Sequence, residues 1–428
     1  MAARAGRWVA GLSRLAGRGE GTVIGGRTSL LIDPEALAHL AAGRPVTLVS
    51  GTNGKTTTTR LLTAALRTAG AVVTNPQGSN LPPGLVAGLS GAPPGAAVAF
   101  EVDEAWLGVA VAALRPRTVT LLNLTRDQLD RVAEVRRLAG RWREVLLAHP
   151  DVGVIANADD PLVAWAASAA GADRCTWVAV GQPWREDAAG CPSCGGSITW
   201  TADSWRCGDC GFERPEPVVV LEGDDLVVRA GPGGPTAAPG AAPPPGAAPP
   251  PGTRLHLVLA LPGRANRANA VMAAVTAWHA GVDPAAALRA MAATVTVDGR
   301  YREVAVGAAT ARLLLAKNPA GWLEAFDMLA PAPGPVVVVI NARLADGRDP
   351  SWLWDVPFER LVGRPVVASG ERSRDLAVRL RYAGVDHRRV DDPVAAVETL
   401  GAGPVDVVAT YTALRDLDAR LRRDGDRG

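Results

Sequence analysis

The sequence predicts an α/β protein with a central domain on a largely parallel sheet, a small four-cysteine insert, and a smaller carboxyl-terminal α/β domain. Three observations carry this. Between residue 46 and about 180, short β-branched runs alternate with helical patterns, as βαβ units do. Two Cys-x-x-Cys pairs interrupt the pattern between 181 and about 217, and a similar alternation resumes after residue 300. The 428 residues suffice for two or three domains with substantial cores. The expected partition is a helical segment over 1–45, the central domain over 46–300 and the last domain over 301–428.

The first strand is the run Val46 to Val49, which enters the turn Ser50-Gly51-Thr52-Asn53-Gly54-Lys55-Thr56-Thr57 and leaves as a helical pattern from Arg60. Glycines at 51 and 54 let backbone amides approach phosphate oxygens, and the helix N-terminus adds positive potential. Lys55 reaches the outer phosphates, and a hydroxyl at 56 or 57 can ligate Mg²⁺. Of 45 basic residues only Lys55 and Lys317 are lysines, so a lysine here answers a need that a planar guanidinium meets poorly. The turn reads as an ATP site, although only two residues separate Gly51 from Gly54, where the general phosphate loop has four.

Further strands are expected at Ala97–Val102, Thr118–Leu122 and Val152–Ile155, each ending in polar residues where such sheets collect ligands. The first of these ends in Glu101, Asp103 and Glu104, three carboxylates able to hold a partly hydrated Mg²⁺. The others end in Asn123 to Arg131 and in Asn157-Ala158-Asp159-Asp160.

Cys191, Cys194, Cys207 and Cys210 have the spacing of a zinc ribbon, with each pair on a tight knuckle. With four thiolates and no open position, the Zn²⁺ is expected to be structural. Cys175 reads as a buried small residue. Residues 231–252, rich in Pro, Ala and Gly, read as a disordered spacer. Beyond it, Asn266 and Asn269 fall on one side of a helix start, placed to meet a nucleotide or to cap the helix. A hinge is expected near Asp298-Gly299-Arg300. The last domain carries strands at Arg312–Leu315, Val336–Ile340, Val366–Val367 and Val405–Ala409, and a loop dense in carboxylates and tryptophans, Asp346 to Asp355.

A net charge of +2 gives no reason to expect nucleic acid as the main partner. No apolar run approaches the ~20 residues of a membrane span, so a cytoplasmic location is expected. Residues 1–20 set Arg4, Arg7, Arg14 and Arg18 among Trp8, Val9, Leu12 and Leu15. Such a helix either packs on the first domain or rests on the inner face of an anionic membrane.

The loop at 51–57 resembles that of the Mur ligase superfamily. More narrowly, the chain resembles its MurT branch, the ligase-like subunits of lipid II isoglutaminyl synthase. The narrower resemblance rests on Arg126-Asp127-Gln128-x-Asp130-Arg131, the four-cysteine insert, Lys317-Asn318-Pro319-Ala320-Gly321 and Asp346-Gly347-Arg348-Asp349-x-Ser351-Trp352. It implies ATP-dependent amidation of the glutamate α-carboxyl of the lipid II stem peptide through an acyl phosphate. Gly54, Lys55 and Thr56 would hold the phosphates, and Glu101 would bind Mg²⁺. Asn266, Asn269, Arg300 and Lys317 would contact nucleotide or the transferring phosphate. It also implies a glutaminase partner, GatD, whose Cys-His pair Asp349 would complete, with Asp346 and Asp355 as alternatives. The histidines at 39, 149, 256, 279 and 387 form no evident glutaminase arrangement with Cys175.

A folylpolyglutamate- or Mur-type ligase joining a whole amino acid to a carboxylate would share the ATP half. A zinc-ribbon protein using ATP as a switch on nucleic acid is the reading from another class; salt-dependent nucleic-acid binding would favour it.

Overall fold

The computed structural model describes residues 2–15, 22–75, 79–126, 135–230, 249–294, 301–331 and 333–425. The chain forms two compact units. The first comprises the residues up to Thr125, Ala133 to Leu261 and Ala265 to Val295; the second is chiefly Thr296 onward. The expected hinge at 298–300 lies outside the described residues.

In the first unit the helices are α1 (Ala2–Leu15), α2 (Thr22–Ile32), α3 (Ala36–Ala41), α4 (Lys55–Leu66), α5 (Pro82–Leu89), α6 (Leu107–Leu114), α7 (Val135–Ala148), α8 (Pro161–Ala167), α9 (Arg264–His279) and α10 (Pro284–Ala292). The strands are β1 (Val46–Ser50), β2 (Val72–Val73), β3 (Ala97–Val102), β4 (Thr118–Leu121), β5 (Gly153–Asn157), β6 (Cys175–Ala179), β7 (Ile198–Trp200), β8 (Trp205–Cys207), β9 (Val219–Glu222), β10 (Asp225–Val228) and β11 (Arg254–His256). Nine of them form one sheet in the order β11-β10-β9-β6-β5-β4-β1-β3-β2. From β2 to β9 the neighbours are parallel, and β9, β10 and β11 close the edge as an antiparallel meander. Every residue of β1 is buried, as expected of a parallel strand covered on both faces.

The expected spacer lies between two strands of the nine-stranded sheet. It joins adjacent strands β10 and β11, and its last residues belong to the fold: the Gly252 amide donates to the Val228 carbonyl at 2.8 Å. Residues 231–248 lie outside the described residues.

At the amino-terminal end, α1 and α2 pack through small residues. A Cβ on Gly6 would meet Ser29 Oγ at 2.2 Å, and one on Gly26 would meet the Pro83 carbonyl oxygen of α5 at 1.8 Å. The small-residue face points inward, leaving Trp8, Val23, Ile24 and Leu31 exposed.

The second unit contains β12 (Tyr301–Val306), β13 (Ala309–Leu315), β14 (Val336–Val339), β15 (Val366–Ser369), β16 (His387–Arg389) and β17 (Gly403–Ala409), with α11 (Pro319–Asp327), α12 (Ser373–Tyr382), α13 (Pro393–Glu398) and α14 (Tyr411–Gly425). Its sheet runs β12-β13-β17-β14-β15-β16, with only β12 antiparallel to its neighbour. One face is covered by an aromatic cluster. Trp322 is fully buried against Phe326, Phe358 and Trp352, at ring separations of 5.8, 5.6 and 6.1 Å. Because that cluster is the keystone of one face, Trp322→Ala is expected to cost about 3–5 kcal/mol. Denaturant unfolding followed by tryptophan fluorescence measures it; a loss under about 1 kcal/mol would show that the cluster is not central to the fold.

Candidate nucleotide site and metal centre

The glycine loop between β1 and α4 has the conformation its sequence demands. Gly54 sits at φ +84°, and a Cβ there would lie 2.4 Å from Asn269 Oδ1. Asn269 also accepts the Thr58 hydroxyl at 3.2 Å, so the first turns of α9 flank the loop and Asn269 lies beside it. Asn266 is buried on the same helix. Thr57 is buried and Thr56 partly so.

Lys55 folds back over the loop. Its ammonium donates to the carbonyls of Gly51 and, at 3.1 Å, Thr52, and pairs with Glu104 Oε2 at 2.9 Å. Glu104 thus emerges as a site residue through its ion pair, for which spacing alone gave no signal beyond its place in an acidic cluster.

Parallel pairing of β1 with β3 brings Glu101 level with Val49, one strand from the loop. Its backbone is pinned by Asn75, which accepts the Glu101 amide at 3.0 Å and donates to its carbonyl at 3.1 Å. The side chain is only 4% exposed, and Oε2 has no hydrogen-bond partner among the described residues. A buried carboxylate oxygen without a donor is costly unless a cation takes its charge. Glu101 therefore fits the Mg²⁺ role; Thr56 follows Lys55 in the first turn of α4.

The loop is held from outside by residues 123–125. The Thr52 amide donates to the Asn123 carbonyl at 2.9 Å, and the Asn53 amide donates to Asn123 Oδ1 at 2.8 Å. Asn123 Nδ2 returns a bond to the Asn53 carbonyl at 3.1 Å. Thr52 Oγ1 accepts the Thr125 amide and donates to its carbonyl, both at 3.1 Å. Asp127, Gln128, Asp130 and Arg131 lie outside the described residues, as does Arg300.

In the insert, β7 and β8 form a hairpin and the four cysteine sulfurs converge, all within 4.8 Å of one another. The Cys191–Cys210 and Cys194–Cys207 sulfur pairs are 3.7 and 3.5 Å apart, and all four thiols are free. Ligands about 2.3 Å from a tetrahedral Zn²⁺ would be roughly 3.8 Å apart, so the donor set fits that ion. Each knuckle turns on a glycine at positive φ, Gly195 at +86° and Gly211 at +72°. Backbone N–H groups of Cys210 and Asp209 draw the Cys207 thiol down to about 7, favouring the thiolate a metal needs. Burial raises the Cys175 thiol instead, which fits its expected packing role.

In the second unit, Asp346 is buried and committed to the fold. It accepts the Thr412 amide at 2.8 Å, the Thr412 hydroxyl, and the Arg343 amide at 3.2 Å. Asp349 is exposed, and its carboxyl is held below the usual range by the Ser351 backbone and side chain, the amide lying at 2.9 Å. Asp355 is exposed, 3.8 Å from Arg126. Trp352 and Leu353 plug the loop after Asp349 into the core. The buried Arg379 guanidinium donates to the Leu353 and Val356 carbonyls at 3.2 and 2.8 Å. Lys317 is exposed at the end of β13, its ammonium 5.2 Å over the Tyr411 ring.

Two outcomes are expected from this geometry. Gly54→Ala puts a methyl against Asn269 and should weaken ADP binding at least tenfold in calorimetry; unchanged affinity would remove the loop from the site. Metal-free protein titrated with Co²⁺ should take up one equivalent with thiolate charge-transfer absorption, weaker in Cys207→Ser. Uptake without that absorption would place the metal elsewhere.

Residues 49–186 match the Mur ligase middle domain family, and residues 315–414 match the MurT ligase C-terminal family. The chain is 28% identical to the Streptococcus pneumoniae lipid II isoglutaminyl synthase (glutamine-hydrolyzing) subunit MurT, over 94% of this chain and 92% of that one. It is 24% identical to the Staphylococcus aureus (strain N315) subunit of that name, over 97% and 96%. Among solved structures it resembles a pseudomurein peptide ligase type C from Methanothermus fervidus (TM-score 0.60, 17% identity, 86% of this chain and 76% of that). It also resembles the MurF ligase of Thermotoga maritima in complex with ADP (TM-score 0.56, 15% identity, 90% and 81%). The structural likenesses establish the fold; within it the chain carries a Mur ligase middle domain over 49–186 and a MurT ligase C-terminal domain over 315–414, and it resembles MurT subunits along nearly its whole length.

Proposed function

We propose that this chain is the ATP-dependent ligase subunit of a lipid II isoglutaminyl synthase, amidating the glutamate α-carboxyl of the stem peptide with ammonia from a glutaminase partner of the GatD kind. Similarity along nearly the whole length of two subunits so named carries the reading. The site chemistry supports it.

A carboxylate is a poor electrophile until one oxygen becomes part of a leaving group. In the proposed reaction a carboxylate oxygen attacks the γ-phosphorus of ATP, giving an acyl phosphate and ADP. Ammonia then attacks the acyl carbon, the C–O bond to phosphate breaks, and the ammonium intermediate loses a proton, leaving the amide and inorganic phosphate. The residues needed are those that stabilise migrating negative charge. Amides at the start of α4 and the Lys55 ammonium would cradle the phosphates. To do so Lys55 exchanges its ties to Glu104 and the loop carbonyls for phosphate oxygens. Glu101 and Thr56 would hold Mg²⁺, which when bound neutralises phosphate charge. Asn266 and Asn269 would line the nucleotide, and Arg300 and Lys317 are assigned to nucleotide or transferring phosphate. The four-cysteine site would hold a structural Zn²⁺.

The cysteines support a separate ammonia source. Four converge on the metal centre and the fifth, Cys175, is buried with its thiol pushed away from ionisation, a poor start for glutamine hydrolysis. The partner would supply the Cys-His pair. Asp349, exposed, ionised and set on a loop anchored by Trp352, is the aspartate offered to it; the commitment of Asp346 to Thr412 argues against that residue.

The substrate's lipid places the proposed reaction at the inner membrane face. No described helix is long and apolar enough to cross a membrane. Trp8, Val23, Ile24 and Leu31, with Arg7 and Arg27 exposed beside them in sequence, suit peripheral contact with anionic lipid.

Mass spectrometry of lipid II incubated with Mg-ATP tests the reading. Amidation is expected with ammonium from this chain alone, and with glutamine only after the glutaminase subunit is added; a whole amino acid joined to the substrate would establish the amino-acid ligase alternative instead. Asp349→Asn should lose at least tenfold of the glutamine-driven rate while retaining the ammonium-driven one. Equal loss with both sources would move Asp349 to the ligase site. In vesicle sedimentation, binding to anionic but not zwitterionic membranes should fall several-fold in Leu31→Glu; no binding by the parent chain would remove the membrane contact.

A further inference from the structure

The two oxygens of Asp160 do different work. Oδ1 caps α8, accepting the Leu162 and Val163 amides at 2.9 and 3.2 Å. That role is ordinary, and Ser, Thr or Asn would fill it. Oδ2 does something a cap does not require: it accepts the Leu124 amide at 2.8 Å and Gln182 Nε2 at 3.1 Å. Leu124 is the middle residue of the segment that moulds Thr52 and Asn53, and Gln182 is at the entry of the cysteine insert. The group is completely buried, and desolvation pushes its carboxyl up to about 6, so at neutral pH it is largely a carboxylate held by amide donors.

The neighbouring residue ties in the insert from its other side. Asp159 accepts the Gly181 amide and pairs with Arg214 Nε at 2.5 Å, with both side chains largely buried. Trp205 of the ribbon hairpin donates its indole N–H to the Ala158 carbonyl at 3.0 Å. Ala164 of α8 packs in the same cluster as Cys191, Trp205 and Cys207. Ribbon, β5 end, 123–125 segment and nucleotide loop are thus successive members of one bonded support within the first unit.

We propose that Asp160 is a positioning residue for the nucleotide loop, and that the four-cysteine ribbon, docked through Asp159–Arg214 and Trp205–Ala158, belongs to that support. The insert then serves nucleotide binding without touching nucleotide. A loop whose supporting shell is loosened holds its amides less well aimed at phosphate. The inference deepens the ATP-site reading and rests on it.

Asp160→Asn separates the two roles. The amide oxygen can still cap α8, and Gln182 can turn its oxygen toward the NH₂ group, but the Leu124 backbone amide cannot, so the tether to the 123–125 segment is lost while the cap remains. Arg214→Ala cuts the ribbon anchor from the far end, and Arg214→Lys retains a cation opposite Asp159. Two readouts on the full chain decide the matter: hydrogen exchange of the 46–59 segment without nucleotide, and ADP affinity by calorimetry. Asp160→Asn and Arg214→Ala should each speed exchange in that segment several-fold and weaken ADP at least tenfold, with the metal still bound at one equivalent. Arg214→Lys should recover most of both. Parent-like exchange and affinity in Arg214→Ala and in folded Asp160→Asn would overturn the coupling alone. Should Asp160→Asn not fold, Arg214→Ala against Arg214→Lys decides it. Absence of ADP binding by the parent chain would overturn the ATP-site reading, and the coupling with it.

Discussion

The proposed nucleotide loop depends on bonds it does not make with itself. Gly51 and Gly54 give it the freedom to expose amides, and the same freedom leaves it without a preferred shape. Asn123 and Thr125 supply that shape by satisfying both backbone groups of Asn53 and the amide and hydroxyl of Thr52. Parallel pairing of β1 with β3 and β4 sets the distances, placing Glu101 on one side of the loop and the 123–125 segment on the other. The order of strands in the sheet is therefore the constraint from which the site follows.

What was legible in the sequence had a local cause. The β-branched runs at Ala97–Val102, Thr118–Leu121 and Val336–Val339 are strands because they are short, apolar and bounded by polar turns. The cysteine spacing announced the converging sulfurs, because each knuckle is specified by its own four residues. The residues that shape the site were harder to read. Asn75 pins Glu101, and Asn123 holds Asn53, across 26 and 70 residues of chain. Neither pairing leaves a periodicity or a motif, since strand order decides which ends meet. β9, β10 and β11 escaped notice for a related reason: β11 is three residues long, and a low-complexity segment separates it from its partner.

In the proposed function the second unit has a different task, that of presenting a charge. Asp346 and Asp349 are three residues apart and chemically alike, yet one is bonded into the fold and the other stands in solvent on a loop fastened by Trp352, Leu353 and Arg379. Held locally by the backbone and side chain of Ser351, such a carboxylate has a fixed position at the surface, which suits the proposed role of a group offered to another protein. Under the proposed function, the chain's own cysteines, converging in the ribbon or buried, would leave the generation of ammonia to that partner. The ligase and nitrogen-releasing halves of the proposed chemistry are divided between chains for a reason visible in the side chains.

The central claim is that the substrate carboxylate is activated by phosphorylation at the loop bearing Lys55. It is tested most directly by following one oxygen atom. Lipid II carrying ¹⁸O in the glutamate α-carboxylate is incubated with this chain, Mg-ATP and ammonium, and the inorganic phosphate is analysed by mass spectrometry. An acyl phosphate route transfers one carboxyl oxygen to phosphate for every amide formed, and Lys55→Ala should abolish both products together. Amide formed with unlabelled phosphate, or labelled phosphate formed at full rate without Lys55, would contradict it.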